Sequence, residues 1–111
     1  MTRKDVATMV SAVGIPYAYY QFDSQTAKEP PFICFFYGSN EDLIADNTNY
    51  QKIERLYIEL YTDTKDINLE QTVEGILNNW GLVYTKDEEH IQSERLYEVV
   101  YETTVIIMEE S

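Results

Sequence analysis

One cysteine, one histidine, four glycines and three prolines in 111 residues remove several kinds of chemistry before any pattern is considered. Cys34 has no second cysteine with which to form an internal disulfide, and one Cys with one His cannot supply a structural zinc site. The four glycines make no GxGxxG or GxxxxGK run, so no phosphate-cradling loop is encoded. Basic residues are also scarce, with 8 Lys and Arg against 20 Asp and Glu, a formal net charge of −12. Neutralising phosphates takes Lys and Arg, so this balance argues against direct nucleic-acid binding and towards solubility, basic partners or a lumen that repels DNA. The longest continuous apolar run, FICFFY at 32–37, falls far below the roughly 20 residues of a membrane-spanning helix. The chain does not open on a basic start followed by an apolar run, and the expectation is an intracellular product without membrane contact.

What is present is apolar and aromatic. At 44% apolar content the chain can bury a core, and its length fits one domain spanning residues 1–111. Ten tyrosines argue against acidic disorder, since disordered acidic chains are poor in aromatics. The organising stretch is 50–63, YQKIERLYIELYTD, where Leu56, Ile58 and Leu60 alternate with Arg55, Tyr57, Glu59, Tyr61 and Asp63. A period of two marks a strand with one face on a core.

Upstream, Thr2 and Asp5 form a capping-box pattern, and Val6, Met9, Val10 and Val13 trace one face of a short helix ended by Gly14 and Pro16. YAYYQF at 17–22 predicts a strand, DSQTAKEPP at 23–31 an exposed loop, and FICFFY a central strand or one at a subunit contact. Gly38, Ser39 and Asn40 predict a turn, 43–45 a short strand, and DNTN at 46–49 a reversal into the organising stretch.

Downstream, Leu69, Val73, Ile76, Leu77 and Trp80 predict a helix capped by Asn68 with Gln71 and closed by Gly81, with Trp80 and Leu77 in the core. Gly75 in its interior suggests a close helix-to-sheet approach. Residues 82–85 predict a strand, KDEEH a charged turn, and 93–108 a long last strand. Its Arg95, Tyr97, Val99, Tyr101, Val105 and Ile107 share one face, and Glu94, Glu98 and Glu102 share the other with Leu96 and Val100. The fold class is α+β: two helices on a mostly antiparallel sheet of 5–6 strands, in the order α-β-β-β-β-α-β-β.

No catalytic set, cofactor motif or metal-ligand spacing emerges. His90 has no named nucleophile or orienting partner and reads as an exposed turn residue, and Cys34 in an apolar strand reads as a small buried hydrophobe. Carboxylates such as Glu88 with Glu89, or Asp42 with Asp46, lack the apolar surroundings that shift a pKa. Asp46 to Asn49 lacks the glycine and distal glutamate of a calcium loop. Tyr57 and Tyr61, on the less apolar face of the organising strand, either form a contact surface or lie beneath a second helical layer. The candidate interface residues are therefore Tyr57, Tyr61, Glu94, Glu98 and Glu102, and carboxylates so regularly spaced need water or cationic partners.

The blocks ADNTNY, IELYTDTKD, LEQTVEGIL and SERLYEVVYE resemble small structural proteins of tailed bacteriophages and prophages of Gram-positive bacteria, encoded among head–tail joining and tail genes. The element order is similar to that of the tail terminators of lambda-like phages, which form a ring capping the tail tube. The resemblance implies a non-enzymatic virion protein, made in the host bacterial cytoplasm. It would act as a homo-oligomeric ring, a hexamer being one candidate size, between tail tube protein and head–tail connector proteins. Tyrosines would supply ring contacts. The alternative from charge alone is an acidic DNA mimic that inhibits a host nucleic-acid-binding enzyme.

Overall fold

The alternation that begins near residue 50 becomes the middle strand of the sheet. The structure is a computed structural model and describes residues 1–22, 29–40, 43–45 and 49–108. Its elements run α1 (Arg3–Ser11), β1 (Tyr17–Tyr19), β2 (Phe32–Asn40), β3 (Leu43–Ala45), β4 (Asn49–Thr62), α2 (Ile67–Asn79), β5 (Tyr84–Ile91) and β6 (Leu96–Ile107). The chain is α+β, in the element order its pattern predicts. The sheet runs β1-β2-β4-β6-β5, antiparallel except for the β1–β2 pair, and β3 adds to β4 alone.

From Leu56 to Leu60 the even-numbered side chains of β4 point into the core. Leu56, Ile58 and Leu60 are at most 2% exposed and cluster with Ile33 and Phe35 of β2 and with Val99, Tyr101, Val105 and Ile107 of β6. Val6, Met9 and Val10 of α1 and Val73 and Leu77 of α2 complete the cluster, so both helices cover the same face of the sheet. The Thr2–Asp5 capping box starts α1, and Gly14 leaves it at φ +87, a region open to glycine at little cost.

Several boundaries differ from the sequence expectation. The cap of α2 is Asp66, whose carboxylate accepts from the Leu69 backbone N–H at 3.0 Å, so Asn68 falls inside the first turn. Trp80 sits at the helix end and is 41% exposed, outside the core. Gly75 faces solvent with no heavy atom near its missing Cβ, which removes close packing as its reason. The predicted turn at Gly38 to Asn40 is strand, and a register shift between Tyr37 and Asn40 absorbs the irregularity.

The predicted KDEEH turn is also strand. β5 is an edge strand wetted on both faces, so its charges are compatible with pairing to β6 and discourage pairing with another chain. The reversal comes later, in a single 3-10 turn at Gln92–Glu94 followed by Arg95 in the left-handed region at φ 55. β6 therefore starts at Leu96, and neither Glu94 nor Arg95 belongs to it. Most of the loop expected at 23–31, the reversal at 46–48, and the Asp42 and Asp46 pair lie outside the described residues.

Candidate functional site

The face of the sheet turned away from the helices is built by register. Phe32 of β2 stands opposite Tyr61 of β4, which stands opposite Glu98 of β6. The next row is Cys34, Glu59 and Val100, and the one after it Phe36, Tyr57 and Glu102. The outer two rows thus repeat one composition, a phenylalanine, a tyrosine and a glutamate, on either side of a row centred on Glu59.

The rings within each row touch. Phe32 stacks on Tyr61 at 4.9 Å between centroids, and Phe36 stacks on Tyr57 at 5.0 Å. Two further aromatics reach the same face from the segment after β1: Phe22 meets Phe32 edge-on at 5.5 Å, and Tyr20 packs against Phe36 at 5.7 Å. Tyr17 and Tyr19, one strand earlier, pack instead against Phe35 on the helix side. The chain changes sides at Tyr20, whose φ of 72 is a left-handed conformation that costs a non-glycine residue about 1–3 kcal/mol.

The glutamates close the rows. Tyr61 donates its hydroxyl to Glu98 at 2.6 Å and, more weakly, to Glu59 at 3.3 Å. Glu102 forms an ion pair with Arg55 and accepts from the Tyr57 hydroxyl at 3.4 Å. Burial, the adjacent Glu98 charge and a hydrogen bond shared with Glu98 push the Glu59 carboxyl up to about 7, partly opposed by the Tyr61 hydroxyl. Burial raises the Tyr61 hydroxyl and the Cys34 thiol above their usual ranges, so both stay protonated at neutral pH. Cys34 is 5% exposed, as a small buried hydrophobe would be.

Four of the five sequence-predicted residues, Tyr57, Tyr61, Glu98 and Glu102, lie together on this face. Glu94 joins from the turn rather than from the strand. With Glu59, Tyr61, Phe32, Phe36 and Leu96 it lines an open concavity of about 610 Å³. Sequence reasoning missed Glu59 and the two phenylalanines as members. Their signal was the both-sided apolarity of 32–37 set against the odd positions of β4, legible only once the pairing register is known.

Polar groups on the helix side do structural work. Glu70 of α2, 3% exposed, is held by Lys65 at 2.9 Å and Lys86 at 2.7 Å, and Lys86 also reaches Glu74. The Tyr101 hydroxyl donates to Glu74 at 2.8 Å. Arg3 ties α1 to Glu54 of β4 at 2.7 Å and lies over the Tyr37 ring. His90 is exposed on β5 and stacks on Tyr97 at 4.4 Å between centroids. Among the described residues no group of three or more His, Cys, Asp or Glu is placed to hold a metal ion, and no helix is long and apolar enough to cross a membrane.

The molecule so defined is an α+β sheet protein with both helices on one side and, on the other, an aromatic and acidic face that among the described residues only Tyr20 and Phe22 overlie. Its fold is similar to that of a chain in the virion of a native gene transfer agent particle, with a TM-score of 0.51 over 90% of this chain and 85% of that one at 12% identity. No protein-family model matches the chain, and no curated protein matches it either.

Proposed function

We propose that the chain is a non-enzymatic structural protein of a tailed-phage or prophage virion, acting as a tail terminator or tail-to-head joining protein in a homo-oligomeric ring. The observation that carries this reading is the shared fold with a chain of a gene transfer agent virion across nearly the whole length of both. The resemblance of ADNTNY, IELYTDTKD, LEQTVEGIL and SERLYEVVYE to small phage joining proteins supports it independently. A ring would use heterologous contacts repeated about an axis, where each interface can be small because closure makes many of them. The candidate interface residues for those contacts or for the tail tube are Tyr57, Tyr61, Glu94, Glu98 and Glu102. In this reading the protein's place is the tail or head–tail junction, with the tail tube protein and head–tail connector proteins as partners.

The test combines mass measurement in solution with electron microscopy of purified tail tubes mixed with the protein. A ring at the tube end, in solution or only on the tube, is the expected result. A protein that stays monomeric and never occupies a tube end overturns the reading.

A further inference from the structure

We propose that the outer sheet face is a docking surface for a cationic segment of a partner protein, one that lays arginine or lysine stems across Phe32, Phe36, Tyr57 and Tyr61 and sets their charged heads against Glu59 and Glu98. The inference concerns the chemistry of the occupant, and it stands whether or not the chain joins tails to heads.

The first ground is coverage. Both helices pack on the other face. Among the described residues only Tyr20 and Phe22 lie over this one, and the two stacked rows remain half-exposed around the concavity. Stacked rings with open faces and edges are a surface that arginine and lysine stems cover well.

The second ground is charge. Register places Asp87 and Glu89 of β5 beside Val100 and Glu98, so the carboxylates of this face run on from Glu59, Glu98 and Glu102 to the sheet edge. Arg55 is the one basic residue among the strands' described side chains there. Its engagement with Glu102 beside Tyr57 shows how the face receives a guanidinium. The sister row has the same tyrosine and glutamate, with Glu59 added. Yet no basic side chain among the described residues pairs with Glu59 or Glu98, and the Tyr61 hydroxyl lies between them instead, donating to Glu98 at 2.6 Å and more weakly to Glu59 at 3.3 Å. A cation delivered by a partner would complete that row as Arg55 completes the other.

The third ground excludes the simplest rival. In a chain of net charge −12, two copies meeting by this face would set carboxylates against carboxylates, which disfavours a second copy in the same orientation. A partner segment of opposite charge gains both steering and fit.

The experiment uses three labelled 12-residue peptides as probes, alternating Val with Arg, Val with Ser and Val with Glu, titrated with the full chain by fluorescence anisotropy at low and high salt. Expected is binding of the Val/Arg peptide alone, weakened by salt and weakened roughly tenfold in Glu59→Gln/Glu98→Gln. The double variant Glu74→Gln/Glu88→Gln removes equal charge from the helix side and should bind as the parent does. Tyr61→Ala, with its fold verified by circular dichroism, should also lose binding.

Equal binding of the Val/Ser and Val/Arg peptides overturns the proposal, as does equal weakening by the two double variants, which would make the attraction one of net charge. Concentration-dependent self-association that protects this face from hydrogen exchange also overturns it, since the occupant is then a second copy. Peptide binding without tube-end occupancy would refute the joining reading and leave this inference standing; the reverse outcome would do the opposite.

Discussion

Tyr61 and Glu98 are direct cross-strand partners whose side chains meet at 2.6 Å, the tyrosine donating. That contact holds Glu98 beside Glu59, whose carboxyl is raised first by burial and then by the neighbouring Glu98 charge.

Glu59 faces Cys34 of β2, Tyr61 of its own strand, and Glu98 of β6, with Glu94 across the concavity. Burial and Glu98 raise it from 4.5 to about 7. An acid whose folded pKa is raised binds more protons in the folded chain, so its contribution to stability is fully present below about 4.5 and is lost as pH rises through about 7. Glu59→Gln should therefore flatten this fall, and the gap between variant and parent in urea midpoint should widen in the variant's favour from pH 5 to pH 8. Glu98→Gln should bring the Glu59 titration, followed by carboxyl carbon NMR, down from about 7 towards its ordinary range. A Glu59 midpoint that does not move contradicts the assignment of its cause.

Leu77 and Trp80 separate helix packing from helix pattern. Leu77 is 1% exposed within the core, whereas Trp80 is 41% exposed beyond the last turn of α2. Leu77→Ala should cost about 2–5 kcal/mol in urea unfolding, with Trp80→Ala costing clearly less. Equal losses would place Trp80 in the core after all.

The same pair shows what periodicity carries and what it omits. Alternation at 56–60 and the spacing of Val73 with Leu77 are imposed by burial on one side, so fold class, element order and most of the core could be read directly. Trp80 continued the helical spacing, but its helix had already ended, and a pattern does not report where its element stops. The Lys86 to His90 run failed for a related reason. Charge reads as turn, yet an edge strand tolerates charge on both faces. The candidate interface was half legible: odd positions of β4 and even positions of β6 announced tyrosines and glutamates, while Glu59, Phe32 and Phe36 joined them only through register. Tyr20 could not be anticipated, because a left-handed tyrosine leaves no mark in sequence.

Lys86 tests the ion cluster under α2. Burial would raise the Glu70 carboxyl, but hydrogen bonds from Lys86 and Lys65 outweigh it and hold the acid below its ordinary value. An acid with a lowered folded pKa stabilises above its unfolded pKa, and the contribution disappears as pH falls through the folded value. Lys86 is 36% exposed, which screens the pair, so Lys86→Met should cost about 1–3 kcal/mol at pH 7, less than a wholly buried pair would. The deficit should shrink as pH drops below 4.5 and Glu70 takes up its proton. A deficit independent of pH would mean that the packing of the lysine's aliphatic stem matters more than its charge.

Gly38 and Gly75 should respond oppositely to the same substitution. Gly75 stands exposed in the middle of α2 with nothing near the position of a Cβ, and alanine there removes backbone freedom from the unfolded chain. Gly75→Ala should stabilise by about 0.5–1 kcal/mol and leave the outer face untouched. At Gly38 a Cβ would run into the Tyr57 ring, the far end of a half-exposed side chain that can swing aside. Gly38→Ala should therefore change stability by less than about 1 kcal/mol, since the displaced ring is not part of the core. It should, however, break the Tyr57–Phe36 stack and alter the near-ultraviolet circular dichroism of the tyrosines. If the outer face receives a partner, Gly38→Ala weakens that binding through Tyr57 while Gly75→Ala does not. A variant that keeps the tyrosine signal would show that β2 shifts instead of the ring, and Tyr57 would then be more firmly anchored than its exposure suggests.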